Sequence, residues 1–166
     1  MDLTCKVHVE YHVILTKTEL MTSIRPFSNA QKHLKAAGLR LTKQRVALGR
    51  LLFEAPDRHV TAESFHAEAQ NSGISVSLAT VYNTLHQFTE AGLLRQVIVD
   101  GAKTYFDTNT SDHHHFYLEC DCDLIDIPAG SIQVSGLPTT PDGTNIDRVD
   151  VVVRLCEALK PDKEST

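Results

Sequence analysis

Between Asp107 and Asp126 the chain runs TNTSDHHHFYLECDCDLI, three consecutive histidines in an acidic surrounding. Side chains alternate across a strand with period 2, so a strand over residues 112–122 turns His113 and His115 to one face and His114 to the other. Two imidazoles on one face, roughly 7 Å apart along the strand, make half of a metal site. Asp107 and Asp126 bracket them as hard oxygen donors. Imidazole mixed with carboxylate suits Fe(II), Mn(II) or Zn(II) rather than soft-metal thiolate chemistry. The competing account is a polar strand end with solvated histidines. A run inside an apolar-flanked stretch, away from the termini where a tag would sit, favours the metal.

The elements that would position these groups are marked by caps and stops. Ser28 or Asn29 caps a helix through Ala37, stopped by Gly38. Thr42 caps a second, with Val46, Leu48, Leu51, Leu52 and Phe53 as its apolar stripe until Pro56. Thr61 caps a third, with Ala62, Phe65 and Ala69 inward and Gly73 at its end. Ser77 caps a fourth, with Leu78, Val81, Leu85 and Phe88 at helical spacing and Gly92 as its stop. The linker between the last two is short, so they meet at an angle as a helix-turn-helix.

Residues 93–99 and 102–107 then read as two strands about an Asp100-Gly101 turn, which completes a winged helix. The outer face of the fourth helix carries Thr80, Asn83, Thr84 and Gln87 flanked by Tyr82 and His86, groups that read base edges or hold phosphates. Ser77 opens that helix, and Lys103 lies beside the wing tip. An ordinary polar outer face that recognises nothing is the alternative.

Further on, residues 116–118, 124–127 and 146–155 are strand-like, with at most a short helix over 130–137. Strand edges this short are usually paired across a two-fold axis. The expected fold class is α+β: an N-terminal winged helix-turn-helix DNA-binding domain at residues 28–108, then a small α/β dimerisation and sensing domain at 109–160. Residues 1–27 form an extension without an assigned role, in which Met21 offers another start, and 161–166 a polar tail.

Charge supports this division. The net charge of −5 over 166 residues averages a mildly basic stretch, residues 30–106 at +3, with an acidic one, residues 107–166 at −8. A basic half joined to an acidic half reads as a nucleic-acid reader coupled to a cation collector. Cys5, Cys120, Cys122 and Cys156 form no C-x-x-C pair, and reduced thiols are the default. No run approaches the roughly 20 apolar residues of a membrane span. The expected location is cytoplasmic, without membrane contact.

The run from GLRLTKQRV through LATVYNTLHQFTEAGLL to TYFD, followed by HHHFY and DLIDIP, resembles the ferric uptake regulator family, and within it most nearly the iron response regulators of α-proteobacteria. The resemblance implies a homodimeric transcription regulator on A·T-rich double-stranded DNA, not an enzyme. It adds His59 to the metal set, giving His59, Asp107, His113, His115 and Asp126. It places Arg40 where the family reaches a minor groove. It implies haem as a second signal, with His113, His114 and His115 implicated and a haem-synthesis enzyme as the donor.

This chain also departs from the family. The first cysteine pair of the family's structural zinc falls on Leu118 and Asp121, so a four-cysteine zinc is not expected, and Cys120, Cys122 and Cys156 are one ligand short of a substitute. The arginine after the recognition-helix tyrosine is Asn83. The Cys-Pro haem motif of some iron response regulators is missing. Other readings are a peroxide-sensing or a zinc- or manganese-responsive member of the family and, more distantly, a zinc hydrolase, for which there is no H-E-x-x-H.

Overall fold

Thr42, Thr61 and Ser77 each stand in extended backbone and accept a hydrogen bond from the amide three residues on, at 3.1–3.2 Å. In a computed structural model that describes residues 30–100 and 103–156, these caps start α2 (Lys43–Phe53), α3 (Ala62–Asn71) and α4 (Leu78–Glu90). At Thr61 the cap is reciprocal, since Ser64 Oγ accepts from the Thr61 amide at 3.0 Å. The preceding helix, α1, spans Ala30–Ala36. Its expected caps, Ser28 and Asn29, lie outside the described residues, as do the N-terminal extension, Met21, Cys5 and the C-terminal tail.

Gly73 and Gly92 take left-handed backbone (φ 74° and 70°) just past α3 and α4. In each case the following amide returns to a carbonyl in the last turn, Ile74 to Ala69 and Leu93 to Phe88, both at 2.8 Å. That pattern turns the chain sharply while satisfying the helix end, and a side chain at the glycine would strain it.

Helix α4 buries Val81, Leu85 and Phe88, but its apolar face is not the whole set expected. Leu78 is 40% exposed at the first turn, and Thr84, expected on the outer face, is buried with its hydroxyl donating to the Thr80 carbonyl at 2.7 Å. A threonine can take such a core position because this bond back along the helix satisfies its oxygen. The core assembled from α1 to α4 holds Leu34, Leu48, Leu52, Phe65, Leu85 and Phe88, all 0% exposed. Phe106 from the wing closes it.

The wing has three strands, not two. Strand β1 (His59–Val60) pairs antiparallel with β3 (Lys103–Asp107), which pairs with β2 (Arg95–Asp100). Asp100 faces Lys103 as the last strand residue, so it does not form the turn itself, and Gly101 lies outside the described residues.

The second sheet has the order β5-β4-β6, with β4 at His114–Leu118, β5 at Asp123–Ile127 and β6 at Val152–Leu155. β5 is antiparallel to β4 and β6 is parallel to it. The expected strand over 112–122 is thus shorter: it ends at Leu118, and Glu119 to Cys122 make a turn in which Cys122 has positive φ (53°). Cys120 and Cys122 consequently share no strand face. No helix forms over 130–137, and the last strand keeps only four residues of the expected ten, the segment before it being irregular and mostly exposed.

The two sheets meet through a small second core. Val97, Val99 and Tyr105 of the wing pack on Tyr117 and Leu124, with Val152 at its margin. Around it the Tyr105 hydroxyl donates to the Cys122 carbonyl at 2.6 Å and Arg154 donates to the Val99 carbonyl. Burial and then the nearby Tyr117 push the Tyr105 phenol up to about 12, so it remains a neutral donor.

Candidate metal centre and nucleic-acid interface

Two cross-strand pairs face each other where the sheets meet. In the wing sheet His59 lies directly opposite Asp107, and in the second sheet His115 lies directly opposite Asp126. His113, just ahead of β4, sits between them. These five residues offer one donor atom each, all within 4.8 Å of one another. The alternation read from the sequence places His115 inward and leaves His114 half-buried on the other side.

The contacts converge on nitrogen and carboxylate oxygen. His59 Nε2 is 2.9 Å from Asp126 Oδ1, and His113 Nε2 is 3.0 Å from Asp107 Oδ2. His115 Nε2 lies 3.5 Å from Asp107 Oδ2 and only 3.0 Å from His113 Nε2. Two buried imidazole nitrogens in such contact cannot both be bare lone pairs without a proton or a cation between them. His59 Nε2, Asp107 Oδ2 and Asp126 Oδ1 are buried and lack aligned hydrogen-bond partners, although ions of opposite sign stand within range. Groups aimed at one point, and not at each other, suit a common cation. Three imidazoles and two carboxylates fit a borderline first-row ion.

Charge is tuned accordingly. Burial lowers the His59 pKa, but the adjacent Asp126 and Asp107 outweigh it and leave it above 6.5. Burial would raise that of Asp126; the His59 ring and the Asn109 amide more than offset it and hold the carboxyl well below the usual carboxylate range. A largely buried cluster that carries two carboxylates attracts a cation.

Local structure holds each donor. The Arg58 guanidinium grips both carboxylate oxygens of Glu68 on α3 at 2.9 and 3.0 Å and donates to the Leu51 carbonyl of α2, which fixes the approach to His59. Sequence reasoning did not single out Asn109. Its backbone amide donates to Asp107 Oδ1 at 2.7 Å and its side chain to Asp126 Oδ2 at 3.0 Å, so one residue aligns both carboxylates. An Asn two places after an Asp is the available signal, because both residue types favour local side-chain to backbone turns. Second-layer partners of this kind orient metal ligands.

The candidate DNA groups are spread over the helices and the wing. Arg40 is exposed between α1 and α2, and Tyr82 (47%) and Asn83 are exposed on α4. Thr80 is half-buried, and Ser77 is engaged in the helix cap. Lys103 points back to the second sheet, donating to Cys122 Sγ at 2.7 Å, a bond that raises its pKa. Arg45, not foreseen, ties the Arg40 carbonyl (2.5 Å) to the Gln87 side chain of α4.

His114, proposed for haem, lies apart from the five-residue cluster, with its Nδ1 buried and without a hydrogen-bond partner. No helix among the described residues is long and apolar enough to cross a membrane.

The model of the ferric uptake regulator family matches residues 36–135, and the chain belongs to that family. A 90-residue stretch is 40% identical to the ferric uptake regulation protein of Shigella flexneri, covering 54% of this chain and 60% of that protein. The match therefore spans less than two thirds of that relative. Among solved structures, the ferric uptake regulator of Pseudomonas aeruginosa with manganese superposes with a TM-score of 0.58 at 24% identity, covering 77% of this chain and 97% of that one. The regulator of Vibrio cholerae gives 0.59 at 21%, covering 76% and 98%. The fold is thus the mixed α and β architecture of these regulators.

Proposed function

We propose that this protein is a metal-responsive, DNA-binding transcription regulator acting as a homodimer in iron and haem homeostasis. The observation that carries the reading is the five-donor cluster drawn from both sheets. His59 sits two residues ahead of the Thr61 cap of α3, and α3 and α4 form the helix-turn-helix. A cation held by His59 and Asp107 on one side and His113, His115 and Asp126 on the other fastens the DNA-reading half to the second sheet. In a dimer that fixes the spacing of two reading helices, which must match successive turns of the major groove. Fe(II), Mn(II) and Zn(II) all suit the donors; the manganese-bound Pseudomonas relative supports a first-row ion.

Arg40, Tyr82 and Asn83 are the exposed DNA contacts in this reading, Arg40 at an A·T-rich minor groove where arginine is favoured. Thr80 and Ser77 support the same helix start, and Lys103 joins them when released from Cys122. The apolar side chains Ile125, Val134, Leu137 and Ile146, left exposed around the second sheet, suit a two-fold interface. Haem is the finer part of the proposal. It rests on the likeness to iron response regulators and on His114, whose imidazole is not committed to the cluster and can ligate haem iron.

The test combines Mn(II) titration with DNA binding by the full chain. Metal should raise affinity for an A·T-rich duplex, His59→Ala should lower metal affinity without unfolding the protein, and Arg40→Ala should weaken binding and flatten its salt dependence. DNA affinity indifferent to metal would remove the regulatory reading. Haem spectra unchanged by His114→Ala would remove that residue from the haem arm.

A further inference from the structure

Arg95 is a buried cation that the metal and DNA roles leave unused. It is 4% exposed, opens strand β2 of the wing, and lies directly opposite Asp107. Its guanidinium donates to the Ser111 carbonyl at 3.1 Å and pairs with Asp150, which precedes β6. The same Ser111 carbonyl is 2.9 Å from His113 Nδ1. A carbonyl oxygen only accepts, so His113 Nδ1 carries a proton and donates it there, while Nε2 faces Asp107 and His115. Arg95 and His113 then share one acceptor.

We propose that Arg95 and Asp150 form a positioning relay that couples occupancy of the His59, Asp107, His113, His115 and Asp126 cluster to the wing. The inference rests on the metal-centre reading. A cation entering the cluster fixes the His113 ring, and through Ser111 it fixes the first residue of β2. Asp150 supplies the counter-charge: without it, a desolvated guanidinium stands 3.4 Å from a ligand ring, where it opposes a second positive charge. The carboxylate also carries the signal onward, because it anchors the long segment that leads into β6.

Asp150 is 47% exposed, so its replacement spares the core. The experiment follows Mn(II) binding and amide hydrogen exchange of the full chain, with and without Mn(II), for wild type, Asp150→Asn and Asp150→Glu. Wild type should bind one ion per chain and gain protection across β2 when it does. Asp150→Asn should keep the stoichiometry, lose about 10- to 100-fold in affinity as outer-layer partners do, and gain no protection in β2. Asp150→Glu, which retains the carboxylate, should recover most of both. Asp150→Asn with wild-type affinity and wild-type protection of β2 would overturn the relay alone. Failure of wild type to bind Mn(II) would overturn the metal reading and the relay with it.

Discussion

The helical half and the second sheet are held together by different means. The first buries a contiguous apolar core in which phenylalanines from α3, α4 and β3 interlock. Around the second sheet five of the described side chains form a buried cluster, and three of them, Val97, Val99 and Tyr105, belong to the wing. Beside that small cluster lie buried polar groups: His113, His115, Asp107 and Arg95. Apolar burial is indifferent to ions, whereas a buried polar cluster is stabilised only when its charges are matched. The region built on burial suits a fixed reading head, and the region built on charge suits a switch.

Replacing Phe65 by Ala should have the largest effect. It removes a fully buried ring, costing about 3–5 kcal/mol, and denaturant unfolding should show it as a global loss equal with and without metal. Leu124→Ala sharpens the contrast from the other side. It should cost less globally, and hydrogen exchange should rise in β4 and β5 while α2 to α4 stay protected. Uniform loss of protection would mean the two regions unfold as one.

The pH response distinguishes them further, and its sign depends on metal. His59 has a folded pKa above 6.5, so its contribution to the metal-free protein is complete below that value and is lost as pH rises through the folded pKa. Asp126 has a folded pKa below 3.8, so its contribution holds above that value and is lost as pH falls. Metal-free protein should therefore be most stable between these limits and decline on the alkaline side. With Mn(II) the alkaline decline should reverse, because a ligating imidazole must be neutral. Thermal melts from pH 5.5 to 8 check this; parallel profiles with and without metal would place His59 outside the centre.

Much of this was legible in the sequence where local chemistry repeats. Thr42, Thr61 and Ser77 announce their helices, and period 2 separates His115 from His114. His59 was reachable only through family resemblance, since a two-residue strand carries no periodicity and its partner Asp107 is 48 positions away in the chain. Arg95 reads as a solvated charge until Asp150, distant in sequence, is brought beside it. Residues 128–151 were read too regularly, because their composition imposes no regular backbone; the short helix and the early strand expected there gave way to irregular chain.

The central claim is that residues from two sheets build one metal centre, and equilibrium dialysis against Mn(II) tests it most directly. Wild type should retain one ion per chain. Asp107→Ser in the wing sheet and Asp126→Ser in the second should each lose it while far-ultraviolet circular dichroism stays native. Retention of the ion after both replacements in one chain would contradict the account.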